Sequence, residues 1–257
     1  MQERGLPAYL AELLGTLLLV FFITSVVTLY VSVGGQAQFG TDFAVVGLVH
    51  AFLLFGLIVM FGVVSGGHFN PVVTLAAIAI RRIKPIDGAI YTLAQLSGGV
   101  LGALLTKGLL LDEGRAGNWG ATSVSGLLGG DLQGMIVEGI GTFVLVLVIL
   151  TAVYSEKSFK EWAPLAIGTT LGFAVMVAGP LTGAGLNPAR WFGPALVSGE
   201  WGGVWPYLVG PILGSGLAAA VYRFILEPGG LPPTEPPEHV RPPVPKRATP
   251  TSDKPAS

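Results

Sequence analysis

The sequence predicts an all-α membrane protein of six transmembrane helices plus two re-entrant half-helices, arranged as two inverted repeats. Three observations predict it. Only 11% of the 257 residues are charged and 51% are hydrophobic, against roughly 25% charged in an ordinary soluble domain. Six apolar runs reach the roughly 20 residues that a helix needs to cross a hydrocarbon core of about 30 Å. A short motif, Asn-Pro followed by a small apolar residue, also occurs twice within matching flanks, at Asn70-Pro71-Val72 and Asn187-Pro188-Ala189. The 38 glycines point the same way, because they would weaken a water-solvated core but are tolerated where membrane helices pack closely.

The six spans run approximately from Pro7 to Val33, Phe43 to Ser65, Ile86 to Leu111, Leu132 to Tyr154, Ala163 to Gly179 and Val204 to Leu226. No small-residue cleavage site follows the first, so it is expected to be retained rather than removed as a signal peptide. Two shorter pieces begin at Asn70 and Asn187 and last about ten to twelve residues, enough at 1.5 Å per residue to reach about half-way across the bilayer. Each opens with an Asn cap followed by Pro at the first helical position, the signature of a helix start. With six spans, Arg4, Arg81, Arg82, Lys84, Lys157, Lys160 and Arg223 fall on the side of both termini, and Lys107 and Arg115 on the other. The positive-inside rule then makes both termini cytoplasmic. From Gly229 to Ser257 the chain is rich in Pro, Thr and basic residues, too poor in apolar surface to offset the entropy of ordering. Residues 1–228 are therefore expected to form one membrane domain, with repeats at about 7–111 and 132–226, and 229–257 a flexible Pro-rich cytoplasmic tail.

The repeats are readable in order. Glu12-Leu13-Leu14-Gly15-Thr16 recurs as Glu138-Gly139-Ile140-Gly141-Thr142, 126 residues on, and Ser65 to Val72 recurs as Thr182 to Ala189, 117 residues on. Gln95-Leu96-Ser97-Gly98 aligns more weakly with Pro211-Ile212-Leu213-Gly214. Each unit holds three spans and a half-helix, and because three is odd the second unit enters the bilayer from the opposite face. The two Asn-Pro tips then meet near the midplane, each presenting unpaired N–H groups and the positive end of a helix dipole. Such a junction repels cations. Non-helical backbone at that depth is tolerated where it lines a polar cavity, so the loops before Asn70 and Asn187 are expected to line a water-filled pore.

With these residues in view, the sequence closely resembles the major intrinsic protein family, the aquaporins and glycerol facilitators, from about Leu6 to Leu226. The resemblance rests on the two Asn-Pro boxes, the paired Glu-x-x-Gly-Thr starts, the segment from Ala94-Gln95 to Ala103, and Asn187-Pro188-Ala189-Arg190 followed by Phe192-Gly193-Pro194-Ala195. One departure is visible: Val72 stands where the first box of the family carries Ala, a change expected to be tolerated. The resemblance implies an aquaporin-like fold, a homotetramer with one pore per subunit, and an outer constriction formed by His50, Val175, Ala184 and Arg190. This set looks most like that of plant tonoplast-type channels, which implies water with ammonia, hydrogen peroxide or urea as further cargo. Trp191 occupies the place where glycerol facilitators carry Asp, which disfavours glycerol.

Residue chemistry gives each position a role beside a plainer one. A guanidinium inside the membrane is costly unless it faces water or a partner. Lining a pore, Arg190 donates hydrogen bonds to passing oxygens and repels cations, whereas the plainer reading is a snorkel to the headgroups. His50 either lines the pore or makes a helix-packing hydrogen bond. Val175 and Ala184 are assigned by resemblance alone. His68 is read as holding its re-entrant loop, and Glu12 and Glu138 as bonding the backbone before each half-helix. Gly98, Gly102, Gly210, Gly214 and Ala218 form small-xxx-small spacings that let helices approach.

The expected function is a passive channel conducting water and small uncharged solutes while excluding protons and ions. One alternative makes ammonia, hydrogen peroxide, urea or glycerol the main cargo. Another, of a different class, is an ion-coupled secondary transporter, which would need a midplane ion site, yet no Asp lies within the spans away from their ends. No enzyme is expected. The chain has no Cys, its only histidines are His50, His68 and His239, and no metal, cofactor or nucleic-acid partner is implied. The expected location is the plasma (cell inner) membrane.

Overall fold

Helix follows helix through the computed structural model, which describes residues 5–32, 42–155 and 158–229. The tail after Gly229, and Arg4 and Lys157 of the topology argument, lie outside the described residues. The elements are α1 (Leu6–Val27), α2 (Asp42–Ser65), α3 (Pro71–Ala79), α4 (Pro85–Leu109), α5 (Asp131–Ile149), α6 (Ala163–Thr182), α7 (Pro188–Ser198) and α8 (Val204–Val221). Six of them are long and apolar enough to cross a membrane, while α3 and α7, at 9 and 11 residues, are not. At 1.5 Å per residue these two span roughly 14–17 Å, about half the hydrocarbon core.

Around the ring, α4 packs on α1, α1 on α2, α2 on α6, α6 on α5 and α5 on α8; α3 and α7 bridge the remaining side between α8 and α4. Small residues set the closest approaches, and the two repeats use them alike. A Cβ on Gly98 or Gly102 would stand 2.4 Å from a carbonyl oxygen of α1, and one on Gly210 or Gly214 would stand 2.6 or 2.2 Å from a carbonyl oxygen of α5. No side chain fits at those distances, so α1·α4 and α5·α8 pack backbone to backbone.

Three spans end in a π-helical turn, at Thr28–Ser32, Leu150–Tyr154 and Tyr222–Leu226. The fifth span runs a little past its expected end at about Gly179: α6 continues through Pro180 to Thr182. Proline there forfeits one backbone donor in the last turn, and the end is fastened from outside by Tyr207, whose hydroxyl donates to the Thr182 carbonyl at 2.6 Å. Among the described residues, Arg81, Arg82, Lys84, Lys160 and Arg223 gather at one end of the ring and Lys107 and Arg115 at the other, as the alternation of the spans requires.

Candidate functional site

The two half-helix tips meet in the middle of the ring. Asn70 and Asn187 both sit in extended backbone as N-caps, where the Asn70 Oδ1 accepts from the Val72 N–H at 3.1 Å and the Asn187 Oδ1 from Ala189 N–H at 2.9 Å and Arg190 N–H at 3.4 Å. The amide nitrogens cross over: Asn70 Nδ2 donates to the Leu186 carbonyl at 3.0 Å and Asn187 Nδ2 to the Phe69 carbonyl at 2.8 Å. Each box therefore holds the loop that leads into the other. A carboxamide nitrogen carries two hydrogens, so each Asn keeps one N–H for a further acceptor. Pro71 and Pro188 occupy the first helical position in both.

The loops before the boxes are strained and tied down. Phe69, Ala184 and Leu186 adopt left-handed backbone with φ of 49°, 47° and 49°, a conformation that persists only where neighbours enforce it. Buried Glu12 does so in the first repeat, its Oε1 accepting from Ser65 Oγ at 2.6 Å and His68 N–H at 2.9 Å, and its Oε2 from Phe69 N–H at 2.7 Å and Gln95 Nε2 at 2.8 Å. Buried Glu138 does so in the second, accepting from Thr182 Oγ1 at 2.6 Å and from the N–H groups of Gly185 and Leu186 at 2.8 and 2.6 Å. Tyr91 and Tyr207 complete the pair, donating to the carbonyls of Ser65 at 2.7 Å and Thr182 at 2.6 Å. His68 reaches Thr74 Oγ1 through Nδ1 at 3.0 Å and, at the limit of a hydrogen bond, the Tyr154 hydroxyl through Nε2 at 3.5 Å.

A narrow cavity of about 50 Å³ threads past these loops, bounded by His50, His68, Asn70, Ala184, Asn187 and Arg190 on its polar side and by Leu and Ile side chains of α1, α2, α5 and α6 elsewhere. One water needs roughly 10–15 Å³ by this measure, so the thread admits a short file of small molecules. Arg190 also borders a wider funnel of about 630 Å³ at the opposite end from the basic turn, together with Val175, Asn118 and Glu200. The junction between thread and funnel thus falls at Arg190. His50, Ala184 and Arg190 border the thread, and Val175 lies on the funnel side.

At the junction Arg190 is 2% exposed, with Nη1 donating to the Gly120 carbonyl at 3.0 Å and Nε having no partner among the described residues. Gly120, at φ +75° and with Thr24 backbone 2.9 Å from where a Cβ would stand, is a position only glycine fills. His50 places Nδ1 2.7 Å from the Val46 carbonyl. A carbonyl only accepts, so Nδ1 carries a proton, and in the neutral ring Nε2, buried and unpartnered among the described residues, is left as an acceptor. Donor and acceptor groups therefore line one narrow passage.

Two residues with questions attached to them lie off the thread. Val72 is buried, its carbonyl accepts from Ser215 Oγ at 2.6 Å, and its side chain borders a lateral groove rather than the cavity, so the added methyl groups do not narrow the passage. Trp191 stacks on Tyr207 at 6.3 Å and meets Trp201 edge-on at 5.8 Å, on the same lateral side. Sequence reasoning missed the roles of Ser65, Thr182, Tyr91, Tyr207, Gln95 and Gly120. Tyr91 and Tyr207 are separated by the same 116 residues as Gln95 and Pro211, so the repeat alignment carried their signal; nothing in the sequence marked Gly120.

A ring of six membrane helices around a narrow thread with polar groups on one side defines a membrane channel. The chain belongs to the major intrinsic protein family, whose model matches residues 2–222. Aquaporin TIP2-1 of Arabidopsis thaliana is 37% identical over 222 residues, covering 85% of this chain and 86% of that protein. Aquaporin NIP1-1 of Zea mays is 38% identical over 218 residues, covering 84% of this chain and 73% of that one. The aquaglyceroporin from Plasmodium falciparum shares the fold with a TM-score of 0.74 at 22% identity, covering 86% of this chain and 97% of its own. The protein is accordingly an integral, multi-pass membrane protein and a passive channel for water or small solutes, not an enzyme and not an ion-coupled transporter.

Proposed function

We propose that water is the principal permeant, that small uncharged solutes follow less readily, and that protons and ions are excluded. The observation that supports this best is the buried Arg190 guanidinium held by Gly120 where the funnel meets the thread. A fixed positive charge there opposes cations and hydronium. The positive ends of α3 and α7 converge behind it and act in the same sense, while the free N–H of Asn70 and Asn187 each offer one hydrogen bond to a passing oxygen. Glu12, Glu138 and His68 serve as loop supports.

Stopped-flow light scattering on proteoliposomes of the purified chain tests the proposal. Fast osmotic water flux of low activation energy, with glycerol and urea flux near background, is the expected result; solute flux equal to water flux rejects it. A second reading, with ammonia, hydrogen peroxide or urea as main cargo, is favoured by the small size of Val175 and Ala184, and Val175→Phe then suppresses solute flux before water flux. Because the chain has no Cys, Ala184→Cys gives a channel newly blocked by mercurials if Ala184 lies at the constriction, and an unblocked variant removes it from that place.

The remaining assignments rest on family resemblance and on charge. The protein is proposed to be a homotetramer with both termini in the cytoplasm, and residues 1–228 to act as one channel domain. The expected plasma-membrane location draws no support from relatives that carry the TIP name, and fractionation of membranes from the native source tests it.

A further inference from the structure

The ring of spans is open on one side, where α3 and α7 bridge α4 and α8. Over that bridge runs a lateral groove of about 570 Å³. Its floor is Pro71, Val72 and Pro188, the faces of the two Asn-Pro boxes turned away from the pore, and its walls include Ala89 and Thr92 of α4 and Leu208 and Ile212 of α8. The Thr92 hydroxyl is spent on the Gly88 carbonyl at 3.0 Å, and the Trp191 indole Nε1, unpartnered among the described residues, is itself buried, so the groove offers a polar solute little to bond.

The two ends differ. One end reaches Ile78 and Pro85, which flank the turn carrying Arg81, Arg82 and Lys84. Arg81 is exposed in left-handed backbone at φ 61°, and its side chain has no hydrogen bond or ion pair among the described residues. The other end reaches Trp191, Phe192 and Trp201, and tryptophan is the residue type that marks a membrane–water interface.

We infer that this groove seats one acyl chain of an anionic phospholipid of the cytoplasmic leaflet, with its phosphate at the Arg81 turn and its chain laid across the backs of the two boxes. The occupant is apolar along its length and anionic at one end, which matches a basic turn opening onto an apolar slot between membrane helices. A second copy meeting the same face fits less well, because two-fold symmetry about the membrane normal sets one basic turn beside the other at equal depth. Seated there, the chain backs the half-helices on the side where no two spans meet, and so steadies the boxes without entering the pore. The inference takes from the proposed function only that the basic end faces the cytoplasm.

The test uses the full chain purified in detergent, titrated with phosphatidylglycerol or phosphatidylcholine bearing brominated acyl chains, with tryptophan fluorescence as readout. Two of the five tryptophans, Trp191 and Trp201, border the groove. Half-quenching is expected at about fivefold lower phosphatidylglycerol than phosphatidylcholine, from the headgroup's charge at one arginine. Trp191→Phe is expected to reduce the quenchable fraction. Arg81→Gln, at an exposed site, is expected to bring the two lipids within about twofold of each other. Ala89→Phe, which fills the groove from α4, is expected to weaken quenching by both lipids while helical content by circular dichroism is unchanged. Equal half-quenching by both lipids in the unaltered chain overturns the inference, as does unchanged quenching in a folded Ala89→Phe variant. Reversal of quenching by soluble glycerol phosphate overturns it too, by showing a site for free phosphate rather than for a lipid. None of these readings depends on flux, so a failed inference and a failed channel assignment remain distinguishable.

Discussion

Single side chains hold the non-helical backbone at the middle of this membrane protein. Glu138 is the clearest case: its removal strands two buried backbone donors, on Gly185 and Leu186, and leaves the Thr182 hydroxyl only its longer bond to the Ala178 carbonyl at 3.2 Å; each unmet group costs about 1–3 kcal/mol. Glu138→Ala is expected to lower the thermal midpoint sharply, reduce folded yield and depress water flux together. Tyr207→Phe deletes a single hydrogen bond to the Thr182 carbonyl and costs about 1 kcal/mol, a shift of roughly 2–4 °C by fluorescence-detected unfolding. Equal effects of the two substitutions would show that the loop does not depend on its carboxylate. Arg190 acts on what passes rather than on what holds. Arg190→Val is expected to leave water flux within about twofold and to admit a proton leak measurable with an entrapped pH dye; a proton-tight variant would leave exclusion to the half-helix dipoles alone.

Between elements, the decisive quantity is how near two backbones come. Gly98 against Leu13 and Gly214 against Gly139 leave 2.4 and 2.2 Å for a Cβ, whereas Gly56 on α2 has no atom within 4 Å. Gly98→Ala and Gly214→Ala are therefore expected to push a helix pair apart at a cost of about 1–3 kcal/mol, with loss of thermal stability. Gly56→Ala, at the same residue type in the same kind of helix, is expected to be neutral or stabilising by up to about 1 kcal/mol. Unfolding midpoints of the three variants check the contrast, and a destabilised Gly56→Ala would mean that α2 meets a neighbouring subunit there. The equivalence of Gly98 and Gly214 also shows that the repeat extends from motif to packing, since both sit on the third span of their unit and face the first.

At the scale of the molecule, the odd number of spans in each repeat produces the function. Inversion brings two helix N-termini to one point, and the crossed hydrogen bonds from the Asn70 amide to the Leu186 carbonyl and from the Asn187 amide to the Phe69 carbonyl make each repeat a component of the other's loop. Either half alone leaves these donors and carbonyls unpaired in the membrane, where an unmet polar group is costly. Co-expressed halves, residues 1–128 and 129–257, are therefore expected to assemble into a conducting channel in a proteoliposome water-flux assay, and either half by itself to conduct nothing. Flux from one half alone would contradict the interlocked pore.

Much of this was legible along the chain. The six spans, the two half-helices and their inversion follow from apolar run length, Asn-Pro caps and the parity of three spans, because a bilayer enforces element length and full backbone pairing more strictly than water does. The positions of Asn70 and Asn187 followed from the repeated motif, and the places given to His50 and Arg190 from the family resemblance that the motifs carry. Sequence alone did not show that Val175 opens onto the funnel, that Gly120 anchors Arg190, or that Val72 and Trp191 face the lateral groove. These are matters of which direction a side chain takes and which distant carbonyl it meets, and they are decided when residues far apart in the chain, 70 positions for Gly120 and Arg190 and 143 for Val72 and Ser215, are packed at contact distance. Local propensity and periodicity determine what each segment is; only the tertiary arrangement determines which segments share a cavity, since that depends on the rotation of each helix about its own axis as the glycine-lined interfaces close.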